Sequence, residues 1–163
     1  MKKSLPTIFF LLSIAFSVTP RLSFANDCTV TSSADSGSGS LRDCIENVAT
    51  SDGNTITIEA LASPIKVTGS LTLTMSINIR GAGPTASIID GSAGNARVFN
   101  IPSTVNNKSI SISGVTIQGV SSSTQSGLAI LLDANDSTLN LSDCEIKNMT
   151  SSFSDNGAAV AVF

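Results

Sequence analysis

The sequence predicts an all-β parallel solenoid of about four turns, closed at its N-terminal end by a short capping helix. One observation is an internal repeat: residues 109–117 (SISISGVTI) are echoed at residues 138–146 (TLNLSDCEI), with Ile110, Ile112, Val115 and Ile117 matched by Leu139, Leu141, Cys144 and Ile146 at one constant interval. In both copies two alternating apolar residues are followed by a polar pair, Ser113-Gly114 or Ser142-Asp143, after which alternation resumes. A chain that turns a corner while keeping its inward face has this pattern, and a period of roughly 30 residues made of short strands fits stacked coils. A further observation is composition: charged residues are 13%, below the usual ~25%, and Ser, Thr, Asn and Gly are frequent. On flat solenoid faces such side chains can form ladders along the stack, and the regularity of the apolar positions argues against disorder.

In chain order, residues 1–25 read as a cleaved export signal. Lys2 and Lys3 are followed by a mostly apolar run over residues 8–18, and Ser23-Phe24-Ala25 places small residues where a signal peptidase reads. The run falls short of the roughly 20 residues that a bilayer span needs. Cleavage after Ala25 leaves residues 26–163, with no later segment long and apolar enough for a transmembrane helix. Losing Lys2, Lys3 and Arg21 leaves 6 basic residues of the original 9 against 12 acidic ones. That net negative charge disfavours nucleic acid and anionic membrane as partners.

Residues 26–53 form the predicted cap. A short strand at Cys28-Thr29-Val30-Thr31 leads through the turn-rich Ser36-Gly37-Ser38-Gly39 into a helix. Ser40 is placed to cap it with Asp43 three residues on, Leu41, Cys44, Ile45 and Val48 make one apolar stripe, and Gly53 is expected to end it. One stripe on one helix has no core of its own, and the open end of the first coil is the surface it would cover. Cys28 in the cap strand and Cys44 in the cap helix, in a chain that carries an export signal, are expected to form a disulfide. Pairing of Cys28 or Cys44 with Cys144 is the open alternative, and it would require the helix to reach the far turns. Cys144, equivalent to Val115, is expected to be a buried free thiol that packs as a small apolar residue.

Residues 54–163 are the predicted coils, long enough at the period of the repeat for about four turns. Strands are predicted at residues 55–59, 65–67, 71–79 (one strand), 87–89, 98–101, 128–132 and 158–163, besides the two repeat copies. Corners are expected at Gly81 and Gly83 within RGAGP, at the Asp90-Gly91 pair, at Gly94-Asn95 and at Asp155-Asn156-Gly157, which would supply positive φ angles and fixed bends. The terminal apolar strand presents an edge expected to pair with another chain or with a missing segment.

Read together, Thr29-Val30-Thr31, Ala34-Asp35-Ser36-Gly37, Gly39-Ser40-Leu41-Arg42-Asp43-Cys44-Ile45, Thr55-Ile56-Thr57-Ile58, Ile79-Arg80-Gly81-Ala82-Gly83 and Ile88-Ile89-Asp90-Gly91 carry a family likeness. It continues through Arg97-Val98-Phe99 and Ile112-Ser113-Gly114-Val115-Thr116-Ile117 to Gly157-Ala158-Ala159-Val160. The chain resembles bacterial surface and secreted right-handed parallel β-helix proteins, of the kind related to chlamydial polymorphic outer membrane proteins and to those opening with a Ser-Leu-Arg-Glu-Ala helix motif. Cys44 stands where that motif usually has alanine, and Ala158-Ala159-Val160 where the family often has Gly-Ala-Ile. The resemblance implies a right-handed coil displayed at the cell outer membrane surface or in the extracellular space, often as an adhesive passenger. It carries over no catalytic residue.

An enzyme is the competing reading. Parallel β-helices also host polysaccharide lyases and glycoside hydrolases, which need converging carboxylates. Asp143 and Glu145 are the local candidates, but the equivalent positions one coil earlier are Gly114 and Thr116, so no acidic column builds up. Asp133 and Asp136 flank a turn at Ala134-Asn135, and Arg80 and Arg97 could contact an acidic ligand. His, Tyr and Trp are absent, which removes the commonest proton shuttle and sugar-stacking platforms. No zinc spacing, phosphate loop or nucleophile triad appears, and no cofactor is expected. The sequons at Asn107, Asn135, Asn140 and Asn148 carry little weight in a chain this rich in Asn, Ser and Thr. The expected function is therefore a non-enzymatic, adhesin-like module whose polar surface meets an envelope or host-surface ligand, protein or glycan. The alternative is a small or incomplete carbohydrate-active β-helix, polysaccharide lyase- or glycoside hydrolase-like.

Overall fold

A computed structural model describes residues 26–122, 124–152 and 159–163; the predicted signal and the predicted corner at Gly157 lie outside these residues. The chain folds as a parallel β-solenoid of about four coils. After the entry strand β1 (Cys28–Val30), the first coil contains β2 (Asn54–Ile58), β3 (Ile65–Lys66) and β4 (Leu71–Thr72). The second contains β5 (Ile77–Gly81), β6 (Ile88–Asp90) and β7 (Phe99–Ile101). The third has β8 (Ser109–Ser113), β9 (Thr116–Gln118), β10 (Ser121–Ser122) and β11 (Ile130–Leu132), and the fourth β12 (Thr138–Ser142), β13 (Glu145–Lys147), β14 (Thr150–Ser151) and β15 (Val160–Val162). Like strands stack into three main sheets, β1-β2-β5-β8-β12, β3-β6-β9-β13 and β4-β7-β11-β15, with β10-β14 as a fourth small one. Five strands spaced by ~4.8 Å span roughly 20 Å.

Alternation in each strand sends every second side chain inward, and the parallel register stacks like positions. In the first sheet the inward column runs Cys28, Ile56, Ile79, Ile112, Leu141, and beside it Asn54, Ile77, Ile110, Leu139. The second sheet contributes Ile65, Ile89, Ile117 and Ile146, and the third Leu71, Phe99, Ile130 and Val160. Burying one such side chain contributes about 1.5–3 kcal/mol, so the columns supply most of the drive to fold. Asn54 is the exception: it sits in an apolar column fully buried, and its side-chain amide has no hydrogen-bond partner.

The repeat corresponds to the third and fourth coils, paired residue for residue from Thr138 opposite Ser109 to Ser142 opposite Ser113. Their corners coincide as well. Asn107 and Asp136, Gly114 and Asp143, and Gly119 and Asn148 all hold positive φ, and each pair is separated by the interval of the repeat. Asn and Asp tolerate the left-handed region better than other residues with a side chain, so the later copy turns the same corners without glycine.

The helix departs from its expected form. Ser40 caps it as predicted, its Oγ accepting from Asp43 N–H at 3.1 Å, while Asp43 Oδ2 accepts from Gly39 N–H at 3.2 Å. After α1 (Leu41–Asp43), residues Cys44–Val48 widen into a π turn in which Ala49 N–H donates to Cys44 C=O, and the helix ends there rather than at Gly53. The wider turn rotates the stripe. Leu41, Cys44, Ile45 and Ala49 are buried, whereas Val48 is half-exposed.

The segment 71–79 is not one strand. β4 and β5 belong to different sheets, and the chain bends between them at Leu73–Ser76 without glycine or proline. Alternation survives because a corner keeps the inward face: Leu71, Leu73, Ile77 and Ile79 are all buried.

The cap meets the first coil on all three of its sides. β1 pairs with β2, and Lys66 N–H of β3 donates to Ser33 C=O at 2.9 Å. On the third side, in the loop that leads into β4, Arg42 donates to the carbonyls of Gly69 (2.7 Å) and Ser70 (3.3 Å), and is held by Asp35 at 3.0 Å and Glu46 at 3.1 Å. Asp35 also accepts from the N–H and Oγ1 of Thr68. Burial acts to raise the Asp35 carboxyl, but the bonds from Thr68 and Arg42 outweigh it and hold it below its ordinary range. A disulfide joins Cys28 to Cys44, tying β1 to the helix.

Candidate interaction surface

The sheet that positions the most side chains outward is the five-stranded one. Its register lines up Thr29, Thr57, Arg80, Ser113 and Ser142 in one outer column, Thr55, Asn78, Ser111 and Asn140 in a second, and Ser109 with Thr138 in a third. All eleven are exposed or half-exposed. Each inward aliphatic fixes the orientation of its outward neighbours, so the core pattern itself builds this surface. The result is a grid of hydroxyls and amides, ~4.8 Å apart along the stack, in which Arg80 alone is charged. One margin is braced by Lys108 Nζ, which meets both Asp52 oxygens at 2.8 and 3.0 Å, and Asp52 accepts in turn from Ser76 N–H at 2.7 Å. The Lys108 bond is the main reason the Asp52 carboxyl lies below its ordinary range.

Such a grid can donate and accept many hydrogen bonds to a ligand laid across it, with Arg80 to hold an anionic group. Two concave spots among the described residues lie off the grid, one lined by Ile45, Ala49, Leu73 and Ile77, the other by Asn95, Ser121, Ser122 and Thr124. Among the described residues there is no group of three or more His, Cys, Asp or Glu side chains arranged to hold a metal ion.

Of the residues singled out for chemistry, Arg80 alone stands on this grid. Glu145 Oε2 meets Lys147 Nζ at 2.9 Å and accepts from Thr116 Oγ1 at 3.2 Å, and the Lys147 bond is the largest cause of its lowered pKa. Asp143 is a left-handed corner residue, and so is Asp136. Arg97 lies partly buried, with NH1 at 3.4 Å from Asn100 Oδ1, and burial lowers its pKa. Two sequon residues, Asn107 and Asn148, turn corners.

The corner residues work by more than one means. Gly83 has the expected positive φ, but Gly81 and Gly91 do not. Gly81 ends β5, where a Cβ would collide with Gly114 O of the next coil and approach Val115 Cγ1 to 2.7 Å; at Gly91 a Cβ would collide with Val120. These glycines are needed for close approach between coils rather than for a bend. Asp90 belongs to β6 and closes the following turn by accepting from Ser92 N–H at 2.8 Å. Burial opposes ionisation of Asp90, yet the Ser92 and Gln118 hydrogen bonds prevail and lower its pKa.

Cys144 is free, as expected, but half-buried rather than buried. Nothing among the described residues stacks on the fourth coil, so its inward positions lack the cover that Val115 has. Its Sγ lies 3.4 Å from Ile112 O and 3.3 Å from Ser142 O.

No helix among the described residues is long and apolar enough to cross a membrane. Searches for a matching protein-family model, a curated relative and a similar solved structure each found no match.

Proposed function

We propose that this chain is an exported, non-enzymatic β-helix module of the cell surface or extracellular space, adhesin-like, that meets its ligand through the polar face of the five-stranded sheet. The observation that carries this reading is the outer grid itself, eleven aligned positions of which ten are neutral hydroxyl or amide side chains. A face built by periodicity rather than by convergence suits an extended protein or glycan ligand. The Cys28–Cys44 bond supports export, since disulfides persist in oxidising compartments. The engagement of Asp143 in a corner and of Glu145 with Lys147 weighs against the carbohydrate-active alternative.

Two measurements test the reading. Expressed whole in a bacterium with a periplasm, the chain should be recovered outside the cytoplasm beginning at Asn26; retention at full length inside the cell would overturn the export half. Purified residues 26–163 should bind a cell-envelope extract or glycan array, and Thr57→Glu with Ser113→Glu should abolish binding while Asp133→Ser should not. Equal loss from both would reject the face. Turnover of acidic or neutral polysaccharides, with or without Ca²⁺, that disappeared in Asp143→Asn or Glu145→Gln would establish the enzyme instead.

A further inference from the structure

Arg80 stands apart from the other basic residues. Arg42, Lys108 and Lys147 each meet a carboxylate, Arg97 reaches Asn100, and Lys66 lies opposite Asp90 in the register of the second sheet. Arg80 is exposed, and it makes no ion pair and no side-chain hydrogen bond among the described residues. Its place is the middle of the grid. β5 is the central strand of the five, and Arg80 stands between Thr57 and Ser113 along the stack, with Asn78 two residues before it on the same face. Strands flank β5 on both sides, so these surroundings are the same whatever lies beyond either end of the solenoid.

We propose that this face takes an acidic glycan, one uronic-acid carboxylate of which seats on Arg80; the inference rests on the polar-face reading above and names its ligand. A guanidinium offers a planar pair of N–H donors that matches a carboxylate through two parallel bonds. Around it, hydroxyls and amides recur about 4.8 Å apart across the strands and about 6.6 Å apart along them, ready to bond the hydroxyls of the sugar that carries the carboxylate and of its neighbours. Neutral glycans are ordinarily held by stacking on aromatic faces. The chain has no Trp or Tyr and no aromatic ring stands on the grid, so charge supplies what stacking does not. A peptide fits less well. The backbone of β5 is already paired with β2 and β8, so a peptide cannot add to it as a strand, and the grid has no apolar pocket for an anchoring side chain. A densely charged polyanion is disfavoured too, because Arg80 is the one positive charge of the grid and acidic residues outnumber basic ones in the chain. The ligand that fits has carboxylates spaced apart, with uncharged sugars between them.

Titration of purified residues 26–163 tests this, with partly methyl-esterified oligosaccharides of galacturonate and of glucuronate, and with the same oligosaccharides fully esterified. Full esterification removes the charge and changes little else. One of the partly esterified forms should bind at least about tenfold more tightly than its full ester, as expected of a hydrogen bond to a charged group, and the difference should shrink in high salt. Arg80→Gln should erase the preference, Arg80→Lys should keep part of it, and Lys66→Gln, off the grid on the second sheet, should leave it intact. The comparison of esters does not depend on a variant folding. Binding of no acidic form, equal binding of acid and ester, or a preference that survives Arg80→Gln would overturn the proposal, as would an Asp-rich peptide of equal charge that bound as tightly. If Thr57→Glu with Ser113→Glu still abolished binding to the envelope extract in any of these events, the polar-face reading would stand and only the acidic glycan would fall. An extract and array that the parent chain did not bind would remove both.

Discussion

Replacing Arg42 by Gln should destabilise the protein by about 2–4 kcal/mol. Its guanidinium is largely enclosed, with 18% of the side chain accessible, and donates to two backbone carbonyls and two carboxylates. Hydrogen bonds from a charged donor contribute about 1.5–3 kcal/mol when well formed; the Gly69 bond at 2.7 Å qualifies, the Ser70 bond at 3.3 Å is weaker. The Asp35 and Glu46 pairs face solvent more and add about 0–1 kcal/mol each. Gln can still reach one carbonyl, which keeps the loss below what removing all four bonds would give. Urea unfolding of residues 26–163, followed by far-ultraviolet circular dichroism, measures the change as a shift in midpoint at constant slope. Arg42→Lys should recover less than half of the loss, because a point charge lacks the fork that spans Gly69 and Ser70. Asp35→Asn combined with Arg42→Gln should cost less than the two changes added, since they share one network. A loss under about 0.5 kcal/mol for Arg42→Gln would refute the view that this side chain ties the cap to the loop before β4.

Other outcomes follow from the same geometry. Gly81→Ala should lower stability by about 2–3 kcal/mol, because the added Cβ meets backbone of the adjacent coil that cannot yield; a thermal melt checks it. Asn54→Leu should raise the urea midpoint by an amount worth about 1–2 kcal/mol, as it removes a buried amide without a partner from an apolar column. Reduction of Cys28–Cys44 should remove roughly 3 kcal/mol, the chain-entropy estimate for a loop of this size, visible as a lowered unfolding temperature in reductant. Stability should also fall in acid. Asp35, Asp52, Asp90 and Glu145 all have folded pKa values below their ordinary ones. Their contribution is complete above the unfolded-chain values, and is lost as the pH drops below about 4 and through the folded values. Melts between pH 7 and 3 test the direction, and a stability that rose on acidification would contradict it.

The columns of the core are legible in the sequence because alternation and register are both carried by side-chain type. Ile110 against Leu139 and Ile117 against Ile146 read the same on paper and in space. The cap strand, the Ser40 cap and the disulfide are equally accessible, since each depends on local spacing. What escapes depends on neighbours that one stretch of sequence cannot show. The corner between β4 and β5 has no turn residue, and the inward periodicity of Leu71 through Ile79 passes straight through it. The π turn shifts burial from Val48 to Ala49 by changing the hydrogen-bond partner, not the pattern. Arg42 stands in the sequence only as part of a motif; its acceptors, Gly69 and Ser70, lie on a distant loop of the first coil, between β3 and β4. Cys144 has the inward slot of Val115 without its burial, because burial is set by the layer above. The outer grid can be anticipated as polar, but which of its residues align is settled only by the register of five strands.

The coincidence of left-handed corners in the third and fourth coils bears on how such a chain can change length. Because Asn107, Gly114 and Gly119 recur as Asp136, Asp143 and Asn148 at one constant offset, a segment one period long taken from here carries the same left-handed corners at the same places one layer higher. Duplicating or deleting it would alter height by about one strand spacing and leave the cross-section and the cap untouched. Reach, for this molecule, is a quantity that can vary in equal steps without a new fold having to be found.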